Sequence, residues 1–438
     1  MSIALNILYG IGLTAASPVI GIKMLTNPRW RRGFVERLGA IPERKDGSPC
    51  LWIHCASVGE TLAARSIVGG LAQEMPDWQV AVSTTTPEGN KQAREHFNGP
   101  VFYFPIDFTF TIRSDIRKIR PTAVALVEKE LWPNFISVLA QEGIPAFIVN
   151  GVVSENFVKR HHLFNKFGGA GTKMLDRIRA FCVQTQTYAE RLTAIGVPEN
   201  KITVTGNIKY DTMRDGIEEE ILGGLRKKFQ ISHSDAVIVG GSTHPGEEKI
   251  LLQVFGNLRS QRDGIRLILA PRHTNRAKEV RDEVMDAGFA CITKSELDRQ
   301  PAPADDLKNT VIIIDTLGEL VNIYGLAAAA FVGGSIADVG GHNVLEPAAL
   351  GVPTLFGPNV KSCRDSADIL LSSDAAKTVT DALDMEATLR FILNNPVKTA
   401  DMTARAREAV NRQKGATEKT ISAMKNELTN AAGKPAHS

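Results

Sequence analysis

Two successive series of short apolar runs constrain the fold of this chain more than any other feature. The first comprises Cys50–Cys55, Gln79–Ser83, Ala123–Val127, Ala146–Asn150 and Ala180–Gln184. The second comprises Ala236–Gly240, Arg266–Ala270, Val311–Asp315, Ala329–Val332 and Pro353–Phe356. Helical patterns such as Gly59–Met75 and Pro87–Phe97 lie between them. Apolar runs of this length, without polar alternation, suit strands covered on both faces, which is the condition of a parallel sheet wrapped by helices. The expectation is an α/β chain with two Rossmann-like domains joined near residues 205–230. No low-complexity linker interrupts that stretch, so the two are expected to face a shared cleft. The expected division is 1–24 for a membrane-anchor helix, 25–210 for a first domain and 211–430 for a second. A helix over Met402–Leu428 and a disordered tail over Ala431–Ser438 are expected to close the chain.

At 438 residues and 43% hydrophobic content, each half is long enough to bury a core of its own. A net charge of only +3 gives no case for a nucleic-acid partner. The five cysteines form no CxxC pair and are odd in number, which fits free thiols in a reducing compartment and supports neither a disulfide framework nor zinc.

From Ile3 to Ile22 there is no charged residue. About 20 such residues suffice to cross a bilayer core as a helix. Lys23, Arg29, Arg31, Arg32 and Arg37 follow, with no basic residue in front. That asymmetry predicts an anchor with everything after it on the cytoplasmic side. Pro18 and the marginal length leave open a segment that lies in the interface instead.

In open parallel sheets ligands bind beyond the carboxyl ends of the strands, which directs attention to the residues there. After the first run stands His54-Cys55-Ala56-Ser57-Val58-Gly59-Glu60, and Glu60 is either a plain helix-start charge or a carboxylate able to take a proton from a hydroxyl. After Ala123–Val127 comes Glu128-Lys129-Glu130-Leu131-Trp132-Pro133-Asn134, with Glu130 one of two acids around a lysine. In the second half, Gly240–Glu248 combines glycines and hydroxyls before a helix, and Ser242 is read there as a phosphate contact. Pro271 and Arg272 follow the next run, the guanidinium being suited to phosphate. The densest motif joins Val332–Ser335 to Gly340–Pro347, and Glu346 is placed to hold the hydroxyls of a nucleotide ribose. No D-x-D pair occurs, so the expected chemistry has no metal, with Arg, Lys and backbone dipoles stabilising a leaving phosphate.

Eight ordered motifs resemble the Kdo (3-deoxy-D-manno-octulosonic acid) transferases of lipopolysaccharide synthesis. They are HCASVGE (His54–Glu60), TTTPEG (Thr84–Gly89), EKELWPN (Glu128–Asn134), GNIKYD (Gly206–Asp211), GSTHPGE (Gly241–Glu247), PRH (Pro271–His273), LGEL (Leu317–Leu320) and GGHNVLEP (Gly340–Pro347). The resemblance implies a GT-B glycosyltransferase that moves Kdo from CMP-Kdo onto lipid IVA with inversion. It implies Glu60 as general base, with Glu130 and Lys209 as transition-state stabilisers. It implies that CMP is held by Pro271 and Arg272, by Leu317, Gly318 and Glu319, and by Asn343, Val344, Leu345 and Glu346. No further cofactor is implied, CMP-Kdo being the donor substrate. The chain departs from the family pattern at Val152, where relatives commonly carry arginine, and over Asn359–Cys363. Two rival readings remain. One is a UDP-sugar transferase or epimerase on the same architecture, acting at the membrane. The other is a tethered regulator without activity, against which the intact Glu60, Glu130 and Lys209 argue.

Overall fold

Each apolar run that lacks polar alternation becomes a strand with both faces covered. The computed structural model describes residues 2–166, 168–302 and 307–432. Its strands are β1 (Cys50–Cys55), β2 (Gln79–Thr84), β3 (Val101–Tyr103), β4 (Ala123–Val127), β5 (Ala146–Gly151), β6 (Ile178–Val183) and β7 (Ile202–Val204) in the first half. The second half has β8 (Ala236–Thr243), β9 (Ile265–Pro271), β10 (Ala290–Thr293), β11 (Thr310–Ile313), β12 (Ala329–Val332), β13 (Thr354–Phe356) and β14 (Ala376–Thr378). They form two seven-stranded sheets, in the orders β3-β2-β1-β4-β5-β6-β7 and β10-β11-β9-β8-β12-β13-β14. All pairings are parallel, as between β1 and β4 (Leu51 beside Ala123) and between β8 and β12 (Val239 beside Ala330).

Contacts divide the chain into two units, Met1–Thr212 with Gln413–Ser438, and Met213–Arg412. In the first unit the two-residue period of β1 sends Cys50 and Trp52 to one core and Leu51, Ile53 and Cys55 to the other. Trp52 is fully buried among Phe102, Phe104 and Phe135, with ring centroids 5.3, 6.4 and 5.1 Å away. Truncating it to alanine would cost about 3–5 kcal/mol. Four helices of this unit begin where a hydroxyl stands just past a strand. Ser57, Thr86, Ser154 and Thr185 accept the N–H groups of Glu60, Gly89, Phe157 and Tyr188 respectively.

The C-terminal stretch corrects the expected division. The helix expected over Met402–Leu428 is two helices, Pro396–Asn411 and Ala416–Ala432, broken at Gly415, whose φ of 95° an L side chain rarely adopts. The last helix packs on the first unit and not, as expected, the second, because Met424 and Leu428 enter the same core as Ala64, Ile67 and Leu71 of helix Val58–Glu74. Asp211 fastens this return by accepting the N–H groups of Gly415 at 2.7 Å and Thr417 at 2.6 Å. Of the tail expected over Ala431–Ser438, Ala431 and Ala432 belong instead to the last helix, and residues 433–438 lie outside the described residues. At the other end, helix Ser2–Thr26 includes Leu5–Thr26, 22 residues of mean hydropathy 1.6 and, among the described residues, the one helix long and apolar enough to cross a membrane.

Candidate functional site

The strand order reverses between β1 and β4 in one sheet and between β8 and β12 in the other. Such switch points are where doubly wound sheets open a crevice for ligands. His54–Glu60 and Gly241–Glu247 run off the carboxyl ends of β1 and β8, and Glu128–Asn134 and Gly333–Glu346 follow β4 and β12.

In the first unit Glu60 sits in the opening turn of helix Val58–Glu74 and folds back over it. Its Oε2 accepts the Ala56 N–H at 2.6 Å, and its Oε1 accepts the Ser57 hydroxyl at 3.1 Å. Burial raises the Glu60 carboxyl above the usual range against the pull of the Ala56 N–H, and the nearby Glu128 and Glu130 carboxylates add to the rise. Glu128 is also raised, by burial first and by Glu130. Its backbone is held at φ 61°, in the left-handed region that favours glycine, which turns the chain sharply off β4.

Glu130 is set apart from its neighbours. Burial alone would raise it, but the His54 imidazole, the Trp132 indole and Lys129 hold it below the usual range. Trp132 Nε1 donates to Glu130 Oε2 at 3.1 Å. His54 Nε2 stands 3.6 Å from the same oxygen, beyond hydrogen-bond length, so the contact is one of charge when the ring is protonated. The ring itself is fixed: Nδ1 lies 3.1 Å from the Ser83 carbonyl, and Phe104 stacks on it at 3.9 Å. Three acids at one strand-end cluster are thus pushed in different directions, the pattern by which acid and base roles are separated. Lys209 is exposed, on the short turn Ile208–Tyr210, which packs on the helix that carries Glu60. Asn150 at the end of β5 sets this turn by accepting the Ile208 N–H at 3.1 Å.

In the second unit the glycine-rich segments are locked together by Glu247. Its carboxylate accepts backbone N–H groups from His244 at 2.9 Å, Gly334 at 2.8 Å, Ser335 and Ile336 at 3.0 Å, and Ala337 at 3.2 Å. The amides that such a loop offers to an anion are therefore filled by the chain's own carboxylate. Gly333 is required by this packing, since a Cβ there would lie 2.6 Å from both Glu247 Oε2 and the Ser242 carbonyl. Ser242 is half-buried with φ 54°.

Around this turn, His244 Nε2 meets His342 Nε2 at 2.8 Å with the rings stacked, and His273 meets His244 edge-on. Burial, with Arg272 and His244 beside it, takes His342 down to about 4, so at neutral pH one ring donates and the other accepts. Pro271 is buried at the end of β9, and Arg272 is exposed just beyond it. Gly318 turns the chain at φ 85°, leaving Leu317 exposed, and Glu319 accepts from Thr316 and pairs with Lys294 at 3.0 Å. Asn343 donates to Glu346 Oε1 at 2.9 Å and accepts the Leu345 N–H at 3.3 Å, closing the turn around Val344. The roles of His54 and Glu247 escaped the sequence reading although both lie inside quoted motifs. The signal available was a buried polar residue in an otherwise apolar strand, and an acid directly after a glycine-rich loop.

The family model described as 3-Deoxy-D-manno-octulosonic-acid transferase (kdotransferase) matches residues 32–212. A 3-deoxy-D-manno-octulosonic acid transferase of Chlamydophila psittaci is 31% identical over 93% of this chain and 92% of its own length. One of Haemophilus influenzae is 30% identical over 93% and 94%. Among solved structures, a UDP-GlcNAc 2-epimerase from Neisseria meningitidis, bound to UDP-GlcNAc, superposes with a TM-score of 0.60 at 14% identity, covering 86% of this chain and 100% of its own. A glycosyltransferase from Rickettsia africae does so with a TM-score of 0.58 at 11% identity, covering 89% and 100%. Those two likenesses concern the fold alone, which is that of the GT-B class.

Proposed function

The chain belongs to the 3-deoxy-D-manno-octulosonic acid transferase family of glycosyltransferases, and we propose that it moves Kdo from CMP-Kdo to lipid IVA, with inversion and without a metal, on the cytoplasmic side of an inner membrane. The observation that carries this reading is the Glu60 carboxylate. It is raised by burial and by two neighbouring acids at a switch point, which makes it a stronger base than an exposed glutamate.

In the proposed step Glu60 takes the proton of a lipid IVA hydroxyl. That oxygen attacks the anomeric carbon of Kdo from the face opposite the phosphate, the bond from that carbon to the phosphate oxygen breaks, and CMP departs. Glu130, already held ionised, and Lys209 stabilise charge as it develops. Pro271, Arg272, Leu317, Gly318, Glu319, Asn343, Val344, Leu345 and Glu346 are proposed to hold CMP, with Glu346 on the ribose and Ser242 near the phosphate.

The test is mass spectrometry of lipid IVA incubated with the purified protein, CTP, Kdo and a Kdo-activating enzyme. A gain of one or more Kdo masses supports the reading and counts the additions. No gain, with UDP binding in a calorimeter where CMP does not, sinks it in favour of a UDP-sugar enzyme.

A further inference from the structure

The apolar N-terminal helix is fastened to the first unit at both of its ends. Near the start of helix Ser2–Thr26, Asn6 Nδ2 donates to Thr109 Oγ1 at 2.7 Å. Asn6 Oδ1 accepts from Asn134 Nδ2 at 3.0 Å and from the Thr109 N–H at 3.3 Å. The Tyr9 hydroxyl bonds the Asp107 carboxylate, and its ring meets Phe108 edge-on at 6.2 Å. Beyond the other end, Gly33 lies so close to the Tyr103 ring that a Cβ would fall 1.9 Å from it. Glu36 then accepts the Tyr103 N–H at 2.9 Å, and Arg37 bonds the Thr85 carbonyl.

Length decides between the possible postures. From Asn6 to Thr26 a helix rises about 30 Å. From Thr26 to Gly33 the chain, with a helical turn at Pro28–Arg31, reaches at most about 19 Å. A helix standing straight off the first unit would carry Thr26 beyond the reach of Gly33. One that crossed a bilayer would put Asn6 and Gly33 on opposite sides of about 30 Å of hydrocarbon, yet both touch the same folded unit.

The two faces of the helix agree with a prone posture. Asn6, Tyr9 and Gly10 near the start and Ile20, Gly21 and Met24 near the end are half-covered on one side of the helix, while residues 11–19 between them are exposed. On the opposite side Ile7, Leu8, Ile11, Val19, Ile22 and Leu25 are each more than half exposed. The polar Thr14, Ser17 and Thr26 hydroxyls bond back to Gly10, Thr14 and Ile22 carbonyls, so they demand no water. Phe110, 63% exposed, extends the apolar surface beside Thr109. No acid occurs before Glu36, while Lys23, Arg29, Arg31 and Arg32 do, a charge pattern complementary to anionic headgroups.

We propose that helix Ser2–Thr26 does not cross the bilayer but lies flat in one leaflet of an anionic phospholipid membrane, its Ile7–Leu25 stripe among the acyl chains and the first unit resting on that surface. This rests on the membrane part of the function above and not on the sugar chemistry. The test adds a protease site ahead of Met1 in the full chain and compares inside-out with right-side-out vesicles from the same cells. Cleavage in inside-out vesicles alone is expected. Cleavage in right-side-out vesicles, or protein that sediments with neither, overturns the proposal. A short bis-maleimide is expected to join the two thiols of an Asn6→Cys, Thr109→Cys variant in pelleted membranes; a pair left unjoined there overturns it too. Kdo transfer assayed on the same vesicles separates the two readings, since transfer with the wrong sidedness removes only the prone helix, and correct sidedness without transfer removes only the chemistry.

Discussion

Glu247 Oε2 accepts the N–H of Gly334 at 2.8 Å, joining the loop after β8 to the turn after β12 across 87 residues of sequence. Four further backbone N–H groups share the same buried carboxylate. Each orphaned buried donor costs about 1–3 kcal/mol. Glu247→Ala is therefore expected to destabilise the protein by at least about 3 kcal/mol in urea unfolding, and to weaken CMP binding in a calorimeter. Glu247→Gln, which keeps one acceptor oxygen, should lose less. Unchanged stability in the alanine variant would mean that the turn holds its shape without the carboxylate.

Glu60→Gln is expected to leave CMP affinity intact and to lower turnover by about 10²–10⁴-fold, the usual scale of general-base loss. The pH profile supplies an independent reading. A base works deprotonated, so wild-type turnover should fall as pH drops through the raised Glu60 value. The glutamine variant should show that limb flattened. A surviving limb would assign it to another group.

Asp115 gives a stability prediction with a definite sign. Burial pushes its carboxyl from 3.8 up to about 7, with only Lys118 opposing, and neither oxygen has a hydrogen-bond partner among the described residues. Below the unfolded value both states hold the proton. Between there and about 7 only the unfolded state releases it, so stability falls as pH rises. Asp115→Asn should therefore be more stable than wild type in alkaline urea titrations, by up to about 4 kcal/mol, and near neutral in effect at the acid end. Equal gains at both ends would tie the effect to packing.

With CMP-Kdo supplied already formed and no activating enzyme present, EDTA is expected to leave the rate of Kdo transfer unchanged. Complete loss of activity that magnesium restores would remove the metal-free step and assign the leaving phosphate to a cation instead of Arg272 and Lys209.

The fold was legible where strands are central and obscure where they are not. Runs such as Ala123–Val127 and Ala329–Val332 were read at their observed bounds because both faces are buried, leaving a continuous apolar word. The runs that escaped were β3, β7, β10 and β14, the outermost strands of the two sheets. Three of them have three residues and one has four. An edge strand needs little apolar surface, and short, partly polar edges also discourage pairing with other chains. Glu60, Glu130, Arg272 and Glu346 were legible because each follows a strand. Glu247 also follows a strand, but its role was hidden because its partners at Gly334–Ala337 lie far along the chain, and a periodicity reading sees only neighbours. The turn at Gly415 was missed because one glycine in a polar stretch does not announce a break.

The return of the last helix to the first unit makes the gene nested. Residues 213–412 are an uninterrupted coding block, while the other unit is written in two pieces on either side of it. A frameshift or stop after Arg412 would leave the block nearest to it whole. The damage would surface far upstream, around Ala64, Ile67 and Leu71, where Met424 and Leu428 would no longer close the core beneath Glu60.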